Sequence, residues 1–448
     1  MQLSAPTTTS TMMEDHREKS IEGGQGNPVV GSNKTKYVYT LLASTCFLVS
    51  GLMNITSASL LDIAELTQSR PPDVAYGISL RFAAYCLGAP FFGWLYHQVN
   101  RQLVLTFLVS GAAVATTTIP MTHTLHSYWL AQVINGFQSV GIDVACFAWV
   151  IEMWPDNANP YLQGLYLGLA LGTALSSAIA EPFLSYVDKV PISMGNGTTM
   201  AHVFHPSRIM IPYTFVSAVA FFTSSLLLVM YFKYPYVKNC NIVEAEDANN
   251  NLQENNVSMS EGTSSLRVGA TLIVSSLMLG CHIASEVNTQ SFLPTFAVFS
   301  PLHLSKSQGA LMLSLLSGST VVSVCAAIPI ATKVSADLML LASLSILLTG
   351  LLVLWMSLTT SVYLMWLSVI LMGIGYASIF PCMYTLISQK IVTANWMFGI
   401  FSLIKSAARI IPPLITGPLI EQHPFVFVYF NLVSLGLTLV MNAILRSR

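Results

Sequence analysis

The sequence predicts an all-α membrane protein with twelve transmembrane helices, arranged as two six-helix, pseudo-symmetric bundles. Apolar stretches of about 20–25 residues recur along the chain, the length that a helix needs to cross a hydrocarbon core about 30 Å thick. They fall as six and six on either side of one acidic polar segment. Only 9% of the 448 residues are charged and 53% are hydrophobic, well away from the averages of soluble proteins.

Two polar segments divide the chain into its predicted domains. Residues 1–36 predict a disordered cytosolic tail, and residues 234–266 predict a cytosolic acidic linker, because both are polar and lack an apolar core. The N-terminal bundle is then predicted at 37–233 and the C-terminal bundle at 267–448. The individual spans are predicted at 37–61, 74–96, 103–122, 127–151, 161–185, 209–233, 268–292, 307–330, 337–358, 362–387, 396–420 and 424–445.

Lysine and arginine are distributed unequally between the two sides of the predicted bundles. With the N-terminus inside, twelve of them lie in inner segments, four in outer segments and three within spans. Because positive residues accumulate on the cytosolic side of membrane proteins, both termini are predicted to be cytosolic. The four outer residues are Arg70, Lys189, Arg208 and Lys306.

The largest predicted outer loop contains Asn196-Gly197-Thr198, an acceptor sequence for N-linked glycosylation. We therefore predict a glycoprotein that is modified at Asn196. We also expect the protein to lie in the plasma membrane. Six of the seven cysteines fall inside apolar stretches, which predicts free thiols rather than a disulfide framework or a metal site.

Two carboxylates lie deep inside predicted spans, Asp143 in the fourth and Glu286 in the seventh. A charged group at membrane depth costs roughly 2.5–3.5 kcal/mol on insertion scales, so it faces the protein interior and commonly serves transport. A cation-coupled carrier of a neutral solute needs such groups, because the cation neutralises the carboxylate and orders the pocket. Asp143 and Glu286 are therefore predicted to couple a sodium ion or a proton to transport, and no other cofactor is predicted.

Amide side chains accompany both carboxylates along the sequence. In the fourth span the polar residues form a broad stripe on the helix surface. Amides can hydrogen-bond the hydroxyls of a solute, and an aromatic ring can pack against its apolar face. The predicted substrate-binding residues are Asn135, Gln138, Asn288, Gln290 and Phe380.

Four more charged residues are predicted to have gating or structural roles. Asp62 and Arg81 lie near the outer mouth of neighbouring spans, and we expect them to form an ion pair there. Lys405 and Arg409 are four residues apart and share one face of the eleventh span. These two either pair with a neighbouring helix or attract an anionic group into the cavity.

The loop after the second span, from Gly93 to Arg101, resembles the loop signature of the major facilitator superfamily at its first and last residues. Further segments resemble the sodium-dependent glucose transporter group of that superfamily, relatives of bacterial fucose permease. These segments are Leu60–Ala64, Ser79–Arg81, Gly141–Asp143, Pro160–Gln163, Glu181–Leu184 and Ser378–Pro381. The resemblance implies the major facilitator fold, alternating access, sodium coupling and a hexose such as glucose as the solute.

Motifs for other chemistries are missing from the sequence, which has no Walker lysine motif, dinucleotide-binding glycine turn, CxxC pair or HExxH. We predict a monomeric secondary transporter in the lipid bilayer, not an enzyme, with a small-molecule solute as its partner. The net charge of -1 argues against nucleic acid. Two alternatives stay open: a proton-coupled or passive carrier of a polyol, organic anion or lipid, and a transport-inactive sensor or scaffold.

Overall fold

The computed structural model describes residues 33–154, 158–194, 197–234, 262–331, 333–390, 403–404 and 406–447. Almost all of the predicted tail and most of the predicted linker lie outside these residues, as do Asn196 and Lys405. The domain boundaries and what was predicted for these two side chains therefore stay predictions.

The first half of the chain is helical except for one β-hairpin. Strands β1 (Tyr186–Met194) and β2 (Gly197–His205) pair antiparallel in the predicted outer loop, and the rings of Tyr186 and His205 stack 4.4 Å apart. This hairpin was not predicted. The helices are α1 (Asn33–Leu52), α2 (Ile55–Ala58), α3 (Leu60–Leu66), α4 (Pro71–Gln98), α5 (Arg101–Thr118), α6 (Leu125–Met153), α7 (Ala158–Ala180) and α8 (Met210–Lys233).

The first predicted span is interrupted by turns at Asn54 and Ser59, which separate α1, α2 and α3. At the second turn the Ser59 hydroxyl donates to the Ile55 carbonyl at 3.0 Å. A side-chain bond of this kind competes with the helical hydrogen bonds and bends the helix. Asp62 therefore belongs to a separate short helix, α3, and does not continue the faces of α1.

The described part of the second half is helical. Its two longest helices each contain an internal proline, Pro294 in the first and Pro381 in the fourth. The helices are α9 (Gly262–Phe299), α10 (Lys306–Ala331), α11 (Ala336–Thr360), α12 (Val362–Lys390), α13 (Ile411–Leu419) and α14 (Phe425–Ser447).

The helices pack mainly within their own half. In the first half α1 packs against α7, α4 against α6, and α5 against α8; in the second, α11 and α10 pack against α12, and α9 against α14. The halves meet where α7 packs against α10 and α4 against α13. These four helices correspond to spans 5, 8, 2 and 11, so the contacts between the halves repeat with the predicted pseudo-symmetry.

Ten helices within the part of the chain that the structure describes are long and apolar enough to cross a membrane. The α9 helix is not among these ten, and the described part of α13 has only nine residues. Large apolar side chains such as Phe107, Tyr363 and Leu87 are exposed on the outside, as lipid contact requires. The predicted all-α membrane architecture is confirmed.

Candidate functional site

A cavity of about 190 Å³ lies between the two halves. Helices α1, α4, α6 and α7 line it from the first half, and α9, α10 and α12 line it from the second, together with Arg409. A water molecule needs about 10–15 Å³ on this measure, so the cavity has room for a solute of about a dozen water-sized groups. A monosaccharide is of this size.

Both predicted carboxylates face this cavity, one from each half. The Tyr85 hydroxyl donates to Asp143 Oδ2 at 2.7 Å, and Gln290 Nε2 donates to Glu286 Oε1 at 3.1 Å. Glu286 and Gln290 are four residues apart on α9 and therefore share its inner face. Each carboxylate is thus oriented by a neutral donor.

Two guanidinium groups also lie on the cavity wall, those of Arg81 and Arg409. Arg81 Nη1 donates to the Met53 carbonyl at 3.4 Å. The guanidinium carbon of Arg409 lies 5.2 Å from the ring centre of Tyr85 and 5.9 Å from that of Phe82. These distances are within the range of cation–π attraction, so Arg409 of the second half contacts aromatic rings of the first.

Neutral polar groups and aromatic rings fill the wall between the charges. Asn54 Nδ2 donates to Thr173 Oγ1 at 3.2 Å, and Gln163 lies on the same side of the cavity. The rings of Tyr166 on α7 and Phe380 on α12 approach to 5.5 Å, one from each half. The lining therefore combines directional hydrogen-bonding groups with aromatic faces, the usual composition of a small-molecule site.

Six of the predicted site residues line the cavity, namely Asp143, Glu286, Gln290, Phe380, Arg81 and Arg409. Asn135 and Gln138 do not. Gly136 packs so tightly on the Arg81 backbone that α4 covers this turn of α6, and Asn135 is only 2% exposed. Gln138 points at Gly111 of α5 instead, so the prediction that these two amides face the cavity is wrong.

Asn288 is also misplaced by the prediction. It is fully buried on the side of α9 that faces α14, and its Nδ2 lies 3.1 Å from Asn431 Oδ1 and 3.3 Å from the Phe427 carbonyl. Asn288 lies two residues from both Glu286 and Gln290, and a helix places such a residue on nearly the opposite face. Its amide therefore supports the packing of α9 on α14.

The predicted ion pair between Asp62 and Arg81 is wrong. Asp62 Oδ1 lies 2.8 Å from Lys306 Nζ of α10, while Arg81 turns to the cavity. The prediction assumed that Asp62 continues the first span beside α4. Because the turns at Asn54 and Ser59 separate α3 from α1, Asp62 faces the second half instead.

Several residues that the sequence analysis did not select also line the cavity. Asn54 and Gln163 could have been found, since each is an amide within an apolar stretch. Phe82, Tyr85 and Tyr166 carried no signal, because aromatic residues are frequent throughout the spans and most of them pack in the core.

A family model described as Major Facilitator Superfamily matches residues 41–413. The chain is 26% identical over 155 residues to major facilitator superfamily domain-containing protein 4A of Pongo abelii, and 25% identical over 155 residues to that of Homo sapiens. Each match covers 34% of this chain and 30% of the relative. The chain is also 20% identical over 394 residues to sodium-dependent glucose transporter 1 of Xenopus laevis, covering 86% of this chain and 77% of the relative.

Two solved structures share the fold. A bacterial homolog to the human lysosomal transporter Spinster, in an inward-facing and unoccupied conformation, aligns with a TM-score of 0.62 and 12% identity over 93% of this chain and 96% of that one. A D-xylose-proton symporter aligns with a TM-score of 0.67 and 15% identity over 90% of this chain and 96% of that one. At these identities the likeness concerns the fold alone.

Proposed function

The chain belongs to the Major Facilitator Superfamily, and from that premise we propose that it carries a small neutral hexose by alternating access, coupled to a cation. Membership makes it an integral, multi-pass membrane transporter and not an enzyme. Its solute, its coupling ion and its placement in the plasma membrane are parts of the proposal.

The observation that carries the proposal is the facing pair of carboxylates, Asp143 from the first half and Glu286 from the second, in one cavity. Sugar hydroxyls both donate and accept hydrogen bonds, so carboxylates and the amides of Gln163 and Gln290 suit them. The rings of Tyr166 and Phe380 offer apolar surface to the carbon face of the sugar. A solute held from both halves can draw them together.

Cation coupling follows from the same carboxylates. A cation that binds beside Asp143 or Glu286 lowers the cost of the charge at membrane depth and biases the conformational equilibrium of the halves. Sodium is the proposed ion because the chain is similar to a sodium-dependent glucose transporter over most of its length. Protonation of the same carboxylates would serve equally in physical terms, so the ion must be tested directly.

A second candidate is a carrier of an organic anion. Arg81 and Arg409 lie on the wall of the same cavity, and guanidinium groups bind carboxylates with two parallel hydrogen bonds. In this alternative the carboxylates position the arginines, and the anion bridges Arg81 of the first half to Arg409 of the second.

Uptake into membrane vesicles separates these possibilities. Radiolabelled glucose, galactose, fucose and citrate are each offered with an inward sodium gradient, with choline in place of sodium, and with a pH gradient. We expect a hexose to accumulate under the sodium gradient at least about fivefold over choline, a difference of about 1 kcal/mol. Accumulation under the pH gradient alone would overturn sodium coupling. Uptake of citrate alone would establish the anion carrier, and no uptake of any solute would overturn the proposal.

A further inference from the structure

Lys306 reaches across the boundary between the halves. It is the first residue of α10, and its Nζ lies 2.8 Å from Asp62 Oδ1, 2.5 Å from Glu65 Oε1 and 2.6 Å from Ser185 Oγ. The next residue, Ser307, donates to the carboxylate of Glu181 at the end of α7. The start of α10 is thus bonded to two separate segments of the first half, α3 and the stretch from Glu181 to Ser185.

Hydrogen bonds within the first half already orient the Asp62 carboxylate, which accepts this ammonium group. Asp62 Oδ2 accepts the Ser185 backbone N–H at 2.9 Å and the Ser207 hydroxyl at 2.5 Å. These two serines flank the β-hairpin, whose base is closed by the Arg208 N–H donating to the Phe183 carbonyl at 2.9 Å. The hairpin therefore holds the Asp62 carboxylate in position whether or not Lys306 is bound.

The pair of Asp62 and Lys306 is shielded from solvent, unlike an ordinary surface ion pair. The Asp62 side chain is 0% exposed and that of Lys306 is 18% exposed. By contrast, the pair formed by Arg70 and Asp73 has 83% and 35% exposed side chains and is 3.8 Å apart. Exposed pairs contribute little, whereas a buried carboxylate that loses its cation is strongly destabilised.

The apolar core shows which side of the cavity is closed. At the end that carries Lys306, one apolar cluster joins the two halves through residues such as Ile55, Ile63, Phe296 and Leu313. At the opposite end of the first half, the cluster around Leu105 and Trp149 includes no residue of the second half, within the described ranges. In the predicted orientation the closed side is the outer one.

We infer that Lys306, bound by Asp62, Glu65 and Ser185, is a latch that holds the outer mouth closed. Solute can enter the cavity from outside only after the Lys306 ammonium group leaves this site. Its departure leaves the buried Asp62 carboxylate without its cation. The latch sets the balance between the inward-facing and outward-facing states. It acts on any solute, so it does not depend on the hexose proposal.

Thiol accessibility tests the latch without any solute. Ala170 lines the cavity, and its replacement by cysteine in a chain whose native cysteines are changed to serine gives one reporter thiol. The probe is a membrane-impermeant trimethylammonium methanethiosulfonate, applied to intact cells or to inside-out vesicles. Lys306→Gln should raise the labelling rate from outside at least fivefold and lower the labelling rate from inside. Lys306→Arg keeps the charge, so both of its labelling rates should stay near those of the parent protein.

The matched control removes an ion pair that does not cross the halves. Arg446→Gln breaks the 2.5 Å pair between Arg446 of α14 and Asp337 of α11, and we expect unchanged labelling from both sides. If Lys306→Gln does not reach the cell surface, Glu65→Gln provides the second variant, because the Glu65 side chain is 45% exposed and tolerates the change. Outside labelling equal to the parent in the surface-expressed variant, or a rise from the inner side alone, would overturn the latch.

Discussion

Two charged side chains of the cavity, Asp143 and Arg409, share a tyrosine as a neighbour. Asp143 accepts a hydrogen bond from Tyr85, and Arg409 of the opposite half lies over that same ring. Tyr85 therefore links the two side chains, so a change in the charge of Asp143 alters the electrostatic environment of Arg409 across the cavity. This arrangement gives a single carboxylate influence over both halves, which is what ion coupling requires.

Asp143→Asn and Glu286→Gln keep the shape of each side chain and remove its charge. We expect hexose uptake to fall about tenfold or more and to lose its ion dependence, since hydrogen bonds to charged groups contribute about 1.5–3 kcal/mol each. Surface abundance, measured by biotinylation, should stay near that of the parent. Asp337→Asn is the matched control, because Asp337 is 47% exposed and far from the cavity. Parental uptake with parental ion dependence in both cavity variants would make these carboxylates structural.

Prediction from the sequence placed a residue on the cavity wall correctly where its side chain is of a type that is rare at membrane depth. It failed where the placement depends on how two helices pack against each other. Asp143 and Glu286 are conspicuous because charges are rare at membrane depth. Asn135 and Asn288 look equally polar in the sequence. Whether they face the cavity depends on how α4 packs on α6 and how α14 packs on α9. The sequence of a single span does not reveal how another helix packs against it.

At the scale of elements, the close packing of α7 on α1 depends on glycine. A Cβ on Gly168 of α7 would lie 2.6 Å from the Ser44 carbonyl oxygen of α1. A Cβ on Gly172 would lie 2.9 Å from Gly51 Cα and would overlap the Leu48 carbonyl oxygen. Small residues let membrane helices approach in this way.

Gly172→Ala should therefore destabilise the protein, because the added methyl group has no space between α7 and α1. Overpacking of this kind costs about 1–3 kcal/mol. The thermal unfolding midpoint of the purified protein in detergent should fall clearly. Gly164→Ala is the control, because its Cβ would meet nothing nearer than Ser44 Oγ at 3.9 Å. Equal midpoints for the two variants would contradict the packing described here.

Hydropathy predicts most of the long helices, since a stretch of about 20 apolar residues has the length and composition of a membrane-spanning helix. It did not predict the division of the first span or the β-hairpin. The former occurs at Asn54 and Ser59, within a stretch whose hydropathy shows no break, and the latter lies in a polar loop whose pairing no periodicity required.

On the scale of the whole molecule, two halves of similar design enclose one cavity and meet through α7 with α10 and α4 with α13. The Lys306 contact lies at one end of this boundary and the cavity at its middle. Closure at one end with a central site is the arrangement that alternating access needs.

The orientation of the molecule follows from its lysines and arginines. We expect epitope tags at both termini to be inaccessible to antibody in intact cells and accessible after permeabilisation, because the inner segments carry the positive excess. A tag inserted at the tip of the hairpin should be accessible in intact cells. Antibody binding to either terminus without permeabilisation would contradict this orientation.

Equilibrium binding of tritiated glucose to the purified protein tests the proposed cavity site most directly, since it requires neither a gradient nor a direction of transport. We predict saturable binding that unlabelled hexoses displace and that sodium strengthens. Gln163→Ala, on the cavity wall, should weaken binding about tenfold, the 1.4 kcal/mol expected for one lost hydrogen bond, whereas Gln98→Ala, at the exposed end of α4, should not change it. No saturable binding of any hexose, or equal affinity in the two variants, would contradict a sugar site in this cavity.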